Sequence, residues 1–207
     1  MPRRTGSSNR WRERQERDIY VEKAGRGGWR SRAVFKLEQI QAKERVLKPG
    51  TVCIDLGCAP GSWSQLAARL TAPGGRVIAV DLLPMEPIPG VEFLQGDFTT
   101  PETLAGLRAL VGTTRIDLVL SDMAPNMSGQ RAVDQPRSIA LLEEALLFAT
   151  EVLRPGGDLL VKGFQGAGIE ELVRELKSRF QTVKTIKPKA SRSESREIYL
   201  LARNLGM

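Results

Sequence analysis

Four polar residues stand at the ends of apolar segments that are typical of buried strands. Three of them are acids, Asp81, Asp97 and Asp122, and the fourth is Lys162. In an open α/β sheet, ligands bind outside the carboxyl ends of the strands, where such residues meet. A single acid in this position is also typical of a helix cap or a loop. Several at equivalent ends of one sheet favour a shared site.

The loop after the first predicted strand carries the most specific motif, DLGCAPGSW, from Asp55 to Trp63. Gly57 and Gly61 allow the backbone to turn tightly and to approach a ligand closely. Asp81 ends the next strand, where a carboxylate accepts hydrogen bonds from the hydroxyls of a ribose. The loop lacks the G-x-G-x-x-G pattern of pyrophosphate binding, and the chain has no P-loop. The motif therefore predicts a cofactor with a ribose and a base but no pyrophosphate, and S-adenosylmethionine is the obvious candidate.

Proton transfer in this protein cannot use an imidazole, because the sequence contains no histidine. The base is then a lysine or a carboxylate. Lys162 extends the apolar run 159–161, where a charged side chain needs a partner. A lysine accepts a proton only as the neutral amine, a form that burial and a neighbouring cation favour. Lys36, on a predicted helix, is the candidate for that cation, and Asp122 is expected to orient Lys162.

Strands and helices alternate from residue 51 onwards. The predicted strands are 51–57, 76–81, 91–97, 116–122, 158–164, 182–187 and 197–203, and the predicted helices are 31–46, 62–70, 101–110, 134–153 and 168–179. This alternation predicts an α/β fold with a mostly parallel sheet covered by helices on both faces. A basic, serine-rich connection joins the last two strands and shows no helical periodicity, so those strands are predicted to pair antiparallel.

Composition limits the class of protein. The chain has 207 residues, of which 41% are hydrophobic and 27% charged, as expected for one soluble globular domain. Its two cysteines, Cys53 and Cys58, suit neither a disulfide framework nor a zinc site, so a reducing cytoplasm is the expected location. No metal site is predicted, since the acids are spread around one sheet edge. No apolar run approaches the length of a membrane span, and the first residues do not resemble a secretory signal.

Charge is distributed unevenly along the chain. The net charge is +7, with +5 in residues 1–30, +6 in residues 174–196 and −4 in residues 31–173. Two basic ends around an acidic body favour a polyanionic partner such as RNA. For the first segment, a solvated tail that only aids solubility is the alternative. Residues 1–30 are predicted to form a basic, flexible arm, and residues 31–207 a single catalytic domain.

Two motifs carry a resemblance to a known family. DLGCAPGSWSQ (55–65) and SDMAPN (121–126) resemble the cofactor motif and the fourth-strand motif of the FtsJ-type family of large-subunit ribosomal RNA 2′-O-ribose methyltransferases. The resemblance covers about residues 20–205. It implies a Rossmann-like fold that uses S-adenosylmethionine and has a seven-stranded sheet.

The resemblance also implies the site residues. The catalytic pattern Lys, Asp, Lys, Glu of the family falls on Lys36, Asp122, Lys162 and Glu197. Its cofactor contacts fall on Gly61, Trp63, Asp81, Asp97 and Asp122. The implied substrate is a uridine ribose in the A-loop of large-subunit RNA, within the assembled 50S subunit. No obligate protein partner is evident, and a monomer is expected.

Several alternatives stay open at this level. Trp63 suits packing of the first helix on the sheet as well as it suits a cofactor contact. Glu197 could hold either Lys36 or the substrate ribose. Amino-group methylation of adenine and C5 methylation of cytosine are disfavoured, because the segment after Asp122 holds neither an aromatic ring nor a cysteine. A protein of another class, an RNA-binding assembly factor that binds the cofactor without turnover, is the remaining alternative.

Overall fold

A central sheet organises the computed structural model, which describes residues 19–192 and 194–206. Its strands are β1 (Val52–Leu56), β2 (Arg76–Asp81), β3 (Val91–Gln95), β4 (Ile116–Ser121), β5 (Leu153–Phe164), β6 (Phe180–Ile186) and β7 (Glu197–Leu205). The seven strands of the described region have the order β3-β2-β1-β4-β5-β7-β6. The pairs among β1 to β5 are parallel, and β7 is antiparallel to both β5 and β6. The predicted α/β fold and the antiparallel pairing of the last two strands are therefore confirmed.

Helices cover both faces of this sheet. They are α1 (which includes residues 19–26), α2 (Val34–Glu44), α3 (Ser62–Thr71), α4 (Pro101–Val111), α5 (Arg131–Val152) and α6 (Ile169–Arg179). Side chains of successive strand residues point to opposite faces, so Cys53 packs with α2 and α3, and Ile54 packs with α4, α5 and α6. Among the described residues, no helix is both long and apolar enough to cross a membrane.

The structure differs from the expected elements at several places. Strand β5 begins at Leu153, five residues before the predicted start, because the Pro-Gly-Gly sequence at 155–157 is not a free turn. It forms an irregularity within the strand, where the register shifts between Ile116 and Leu118 of β4. Helix α5 begins at Arg131 instead of residue 134. The predicted arm lies outside the described residues up to residue 18, and from residue 19 the chain is helical.

Candidate active site

A cavity of about 360 Å³ opens at the carboxyl ends of β1, β2, β3 and β4. Asp81, Asp97 and Asp122 all line it, together with Gly57 and Met123. These are the strand ends at which the polar residues were expected to meet. Lys162, the fourth of the polar residues, does not line this cavity but contacts Asp122, which does.

Asp81 connects two loops at the cavity wall. Its Oδ2 accepts a hydrogen bond from the backbone N–H of Ala59 (2.8 Å), and its Oδ1 accepts one from Leu83 (2.8 Å). A carboxylate has about four acceptor positions, so both oxygens keep capacity for the hydroxyls of a ribose. The same side chain therefore fixes the loop containing Ala59 and faces the cavity.

Asp97 stands at the exposed end of the cavity. Its Oδ1 accepts hydrogen bonds from the backbone N–H of Thr99 (2.9 Å) and from the Thr99 hydroxyl (2.7 Å). These bonds lower the pKa of Asp97, the backbone bond having the larger effect. Its carboxylate is consequently ionised at neutral pH and offers its second oxygen as an acceptor.

Gly57 allows the backbone to pass close to the cavity floor. Its φ is +74°, and a Cβ there would lie 2.4 Å from the Cγ of Met123. A side chain at this position would therefore push Met123 toward the space where a ligand binds.

Gly61 lets the glycine loop pack closely against another segment of the chain. Its φ is +107°, and a Cβ would lie 2.6 Å from side-chain atoms of both Met85 and Ile88. Those residues belong to a proline-rich segment, 84–89, that packs on the glycine loop. Gly61 is not among the residues that line the cavity, and its contact with a cofactor stays a prediction.

Arg30 fastens that proline-rich segment to the loop. Its guanidinium donates hydrogen bonds to the carbonyl oxygens of Pro60 (3.1 Å), Glu86 (2.6 Å) and Pro87 (2.9 Å). Its backbone N–H also donates to Gln65 of α3 (3.0 Å). The chain just before α2 is thus tied to the same loop that forms the cavity wall, a contact that no sequence motif indicated.

Trp63 is a packing residue in this structure. Its side chain is buried, its indole N–H donates to the carbonyl of Ala33 (2.8 Å), and its ring lies 5.6 Å from that of Tyr199. It does not line the cavity. Of the two roles considered for the indole, the geometry favours packing. A contact of Trp63 with the cofactor would come from the backbone N–H at the start of α3, where helical N–H groups lack intrahelical partners.

The first of two ion pairs beside the cavity joins Lys162 to Asp122. Lys162 Nζ lies 3.1 Å from Oδ1 of Asp122, and it also donates a hydrogen bond to the Asp122 carbonyl. The side chains are 9% and 18% exposed, so the pair is largely shielded from water. Asp122 therefore orients Lys162 and lines the cavity at the same time.

The second ion pair joins Lys36 to Glu197. Lys36 Nζ lies 2.7 Å from Oε1 of Glu197, and that oxygen also accepts a hydrogen bond from the Ser191 hydroxyl (2.7 Å). Of the two open roles for Glu197, the structure displays the contact with Lys36. Because Glu197 neutralises it, Lys36 is not a bare cation beside Lys162.

Tyr199 links the two ion pairs, and sequence reasoning missed it. Its hydroxyl donates to Oδ1 of Asp122 (2.6 Å), and its ring centroid lies 5.8 Å from Lys36 Nζ. Burial, and next the charge of Asp122, raise the pKa of this tyrosine well above its ordinary value, so it stays protonated and donates. A signal was present: Tyr199 follows Glu197 by two residues in a strand, so both side chains share one face. Lys162 lies directly opposite Tyr199 on β5.

Asp55, at the end of β1, is a fully buried carboxyl. Its Oδ2 accepts a hydrogen bond from the Ser64 hydroxyl (2.6 Å), and its Oδ1 has no hydrogen-bond partner among the described residues. Burial raises the pKa of Asp55 to about 7, and the nearby charge of Asp122 adds to this rise. Asp55 therefore exchanges a proton near neutral pH beneath the cavity.

The cysteines are buried as free thiols. Burial, followed by the charge of Asp55, raises the pKa of both Cys53 and Cys58, so neither is a thiolate nucleophile at neutral pH. Within residues 19–192 and 194–206, no group of three or more acids and cysteines has the spacing to hold a metal ion.

Comparison with known proteins places this site in a family. A family model described as FtsJ-like methyltransferase matches residues 29–205. The fold is similar to that of a proposed ribosomal RNA methyltransferase from Plasmodium falciparum, with 33% identity and a TM-score of 0.78 over 86% of this chain and 98% of that one. It also shares the fold of a proposed rRNA methylase from Clostridium thermocellum, with 17% identity and a TM-score of 0.55 over 82% and 97% of the two chains. Since the family model covers most of its length, the chain belongs to the FtsJ-like methyltransferases.

Proposed function

We propose that the protein transfers a methyl group from S-adenosylmethionine to the 2′-oxygen of a uridine ribose in large-subunit ribosomal RNA. The A-loop of the assembled 50S subunit is the proposed target, and the enzyme is proposed to act as a monomer in the cytoplasm. The observation that supports this most is the meeting of two lysine–carboxylate pairs beside one cavity. A family model that specifies a methyltransferase supports the reaction class.

The residues of the cavity fit S-adenosylmethionine. Asp81 has acceptor capacity for the ribose hydroxyls, and Asp97 has it for the adenine amino group. Phe98 and Leu82 supply apolar wall on the same side. Asp122 lies at the inner end, where its negative charge suits a sulfonium. When bound, the cofactor supplies an electrophilic methyl group that needs alignment more than activation.

Lys162 is the proposed general base. Lys162 first releases its ammonium proton to water. The neutral Nζ then accepts the proton of the 2′-hydroxyl while that oxygen forms its bond to the methyl carbon, and the electron pair of the broken sulfur–carbon bond stays on sulfur. The new ammonium is stabilised by Asp122, whose Oδ1 is already held by the Tyr199 hydroxyl. Lys36, paired with Glu197, lies 5.8 Å from the centroid of the Tyr199 ring. The pair is proposed to support this geometry and to hold the ribose.

Basic residues near the site support an RNA substrate. The connection between β6 and β7 lies at the same end of the strands as Lys162. Ile186, the last residue of β6, and Lys162 both lie opposite Tyr199 of β7. Lys187, Lys189 and Arg192 are exposed on this connection. Exposed cations attract RNA phosphates.

The reaction is tested by transfer of labelled methyl from S-adenosylmethionine to undermodified large subunits. We expect ribose label with the wild type and a loss of at least about 100-fold in kcat for Lys162→Arg, which keeps the charge but cannot act as a base. Lys177→Arg, an exposed lysine of α6, is the matched control and should retain full activity.

Three outcomes would contradict the proposal in different ways. Label on a base would reject the ribose as acceptor. Undiminished kcat in Lys162→Arg would reject Lys162 as the base. Tight binding of cofactor and RNA by the wild type with no transfer would favour the assembly-factor alternative.

A further inference from the structure

A second cavity lies beside the active site, between α5 and the loop that follows β5. We name it the α5 groove; its volume is about 610 Å³. Its walls are mainly apolar and include Ala132, Pro136, Ile139 and Ala140 of α5 and Ala167 of the loop. Neither the proposed cofactor nor the four residues of the ion pairs occupy it. The proposed cofactor and the ion pairs therefore do not account for the groove.

The groove residues are neighbours, along the chain, of the proposed catalytic residues. Arg196 lines the groove, and the next residue, Glu197, pairs with Lys36. On α5, Ile139 lines the groove, while its neighbour Ser138 lies at a narrow crevice that Lys162 also lines. Consecutive Cα atoms are about 3.8 Å apart, so at each of these two places the backbone of a groove residue adjoins that of a residue of the site. A polymer bound at the site reaches the groove with an adjacent unit.

The groove has a fixed shape. The Gln135 side chain donates hydrogen bonds to the carbonyls of Phe164 (3.2 Å) and Ala167 (3.0 Å), which tie α5 to the loop after β5. Gly166 leaves the room that Gln135 occupies, because a Cβ there would lie 2.7 Å from its side chain. A fixed cavity binds a ligand without an ordering cost.

Charge at the rim favours an anionic polymer. Arg131, at the start of α5, is exposed, and Arg196 is half-buried with its guanidinium hydrogen-bonded to the carbonyl of Gln165 (2.9 Å). Glu143 is the one acid among the groove residues. Apolar walls between two guanidinium groups suit the flat face of an unpaired base and the phosphate attached to it.

We propose that the α5 groove binds an unpaired nucleobase of the substrate RNA, next to the nucleotide whose ribose is methylated. This rests on the proposed function, and it adds a subsite that selects a single-stranded or flipped-out neighbour. Arg131 and Arg196 contact the phosphate of that nucleotide. The apolar walls contact its base.

The test combines a substitution that fills the groove with RNAs that lack one base. The probes are fluorescent RNA oligonucleotides of the A-loop sequence, intact or with one abasic ribose on either side of the target uridine. We expect Ala140→Trp to weaken binding of the intact RNA about tenfold, the scale of one stacked base. Leu147→Trp, on an exposed position of α5 outside the groove, is the matched control and should bind as the wild type does.

The decisive result is whether the effect of Ala140→Trp and the effect of the missing base fail to add. One abasic position should weaken binding to the wild type and to Leu147→Trp about tenfold, yet leave binding to Ala140→Trp unchanged. Affinity for S-adenosylmethionine, measured by calorimetry, should be equal in all three proteins. Arg131→Gln should weaken binding of every RNA in the set and reduce its salt dependence.

The outcomes separate this inference from the proposed function. Wild-type affinity of Ala140→Trp for all the RNAs would overturn the subsite, while ribose methylation by the wild type would keep the function. Ala140→Trp could bind RNA as the wild type does and yet lose a complex with another protein. That result would show that the groove binds a protein partner, and it would overturn the inference. An absence of methyl transfer with the non-additive pattern intact would keep the subsite and reject the reaction.

Discussion

Asp55 makes stability depend on pH in a window where few other groups titrate. The folded protein keeps a proton on Asp55 up to about pH 7, whereas the unfolded chain releases it near the ordinary pKa of 3.8. Between these values the folded state binds more protons, so stability falls as pH rises, and it levels off above the folded pKa. The loss is at most about 1.4 kcal/mol per pH unit. No histidine obscures the effect, because the sequence has none.

We therefore expect the free energy of unfolding of the wild type to be lower at pH 7 than at pH 5, and that of Asp55→Asn to change far less. Asparagine keeps the shape and an acceptor for the Ser64 hydroxyl but cannot ionise. Urea denaturation at a series of pH values measures this. Glu38→Gln, which removes an exposed carboxyl on α2, should follow the wild type. An equal pH slope in Asp55→Asn would mean that Asp55 is not the group responsible.

Among single residues, the charged groups of the site were easier to identify from the sequence than the residues that hold these groups in place. Asp81, Asp97, Asp122 and Lys162 were recognisable because each ends an apolar strand. Tyr199 and Arg30 were not, since a tyrosine within a buried strand and an arginine in a basic segment are common for other reasons. Their role depends on contacts with Asp122 and with the Pro60 carbonyl, which only folding brings together.

Helix α2 positions Lys36 through its buried side. Leu37 is 0% exposed and packs in the same cluster as Trp63 and Tyr199. Leu37→Ala should lower the free energy of unfolding by about 2–5 kcal/mol, as expected for a cavity in a packed core. Urea denaturation measures the loss. Glu38→Ala, on the exposed side of the same helix, should change stability by less than about 0.5 kcal/mol, and a similar loss in both variants would show that the packing of Leu37 is not the cause.

At the scale of elements, apolar runs predicted the strands, and the errors came from turn signals. Arg76–Asp81 was predicted without error, because a buried parallel strand is a short apolar run between breakers. Pro155 and the two glycines after it also have the sequence of a turn, yet β5 continues through them. The sequence cannot reveal that neighbouring β4 pairs on both sides of this irregularity and holds it in the sheet.

For the whole molecule, the basic connection at the active-site edge should control the salt dependence of RNA binding. Replacing Lys187, Lys189 and Arg192 by glutamine should reduce the slope of log K against log salt by about 0.7 for each phosphate of single-stranded RNA that these cations neutralise. Fluorescence anisotropy at several salt concentrations measures the slope. Lys184 is left unchanged because it pairs with Glu44 at 2.8 Å.

The matched control replaces three other exposed cations with glutamine. They lie in the last turn of α2 and in the loop before β1, at the opposite end of the strands, and are Lys43, Arg45 and Lys48. Charge is reduced equally, so a general electrostatic effect would lower both slopes alike. A lower slope only in the variant of Lys187, Lys189 and Arg192 would locate the RNA at the end of the strands where Lys162 lies. Equal slopes would place the RNA elsewhere or indicate attraction by net charge alone.

Strand β7 occupies the interior of the sheet, between β5 and β6, although it comes last among the strands in the chain. It contributes Glu197 and Tyr199, which hold Lys36 and Asp122. A chain without β7 keeps the cofactor loop and both lysines but lacks the carboxylate that pairs with Lys36 and the hydroxyl that holds Asp122. Loss of β7 would therefore disrupt the sheet and the site together, since β6 is joined to the other strands through β7.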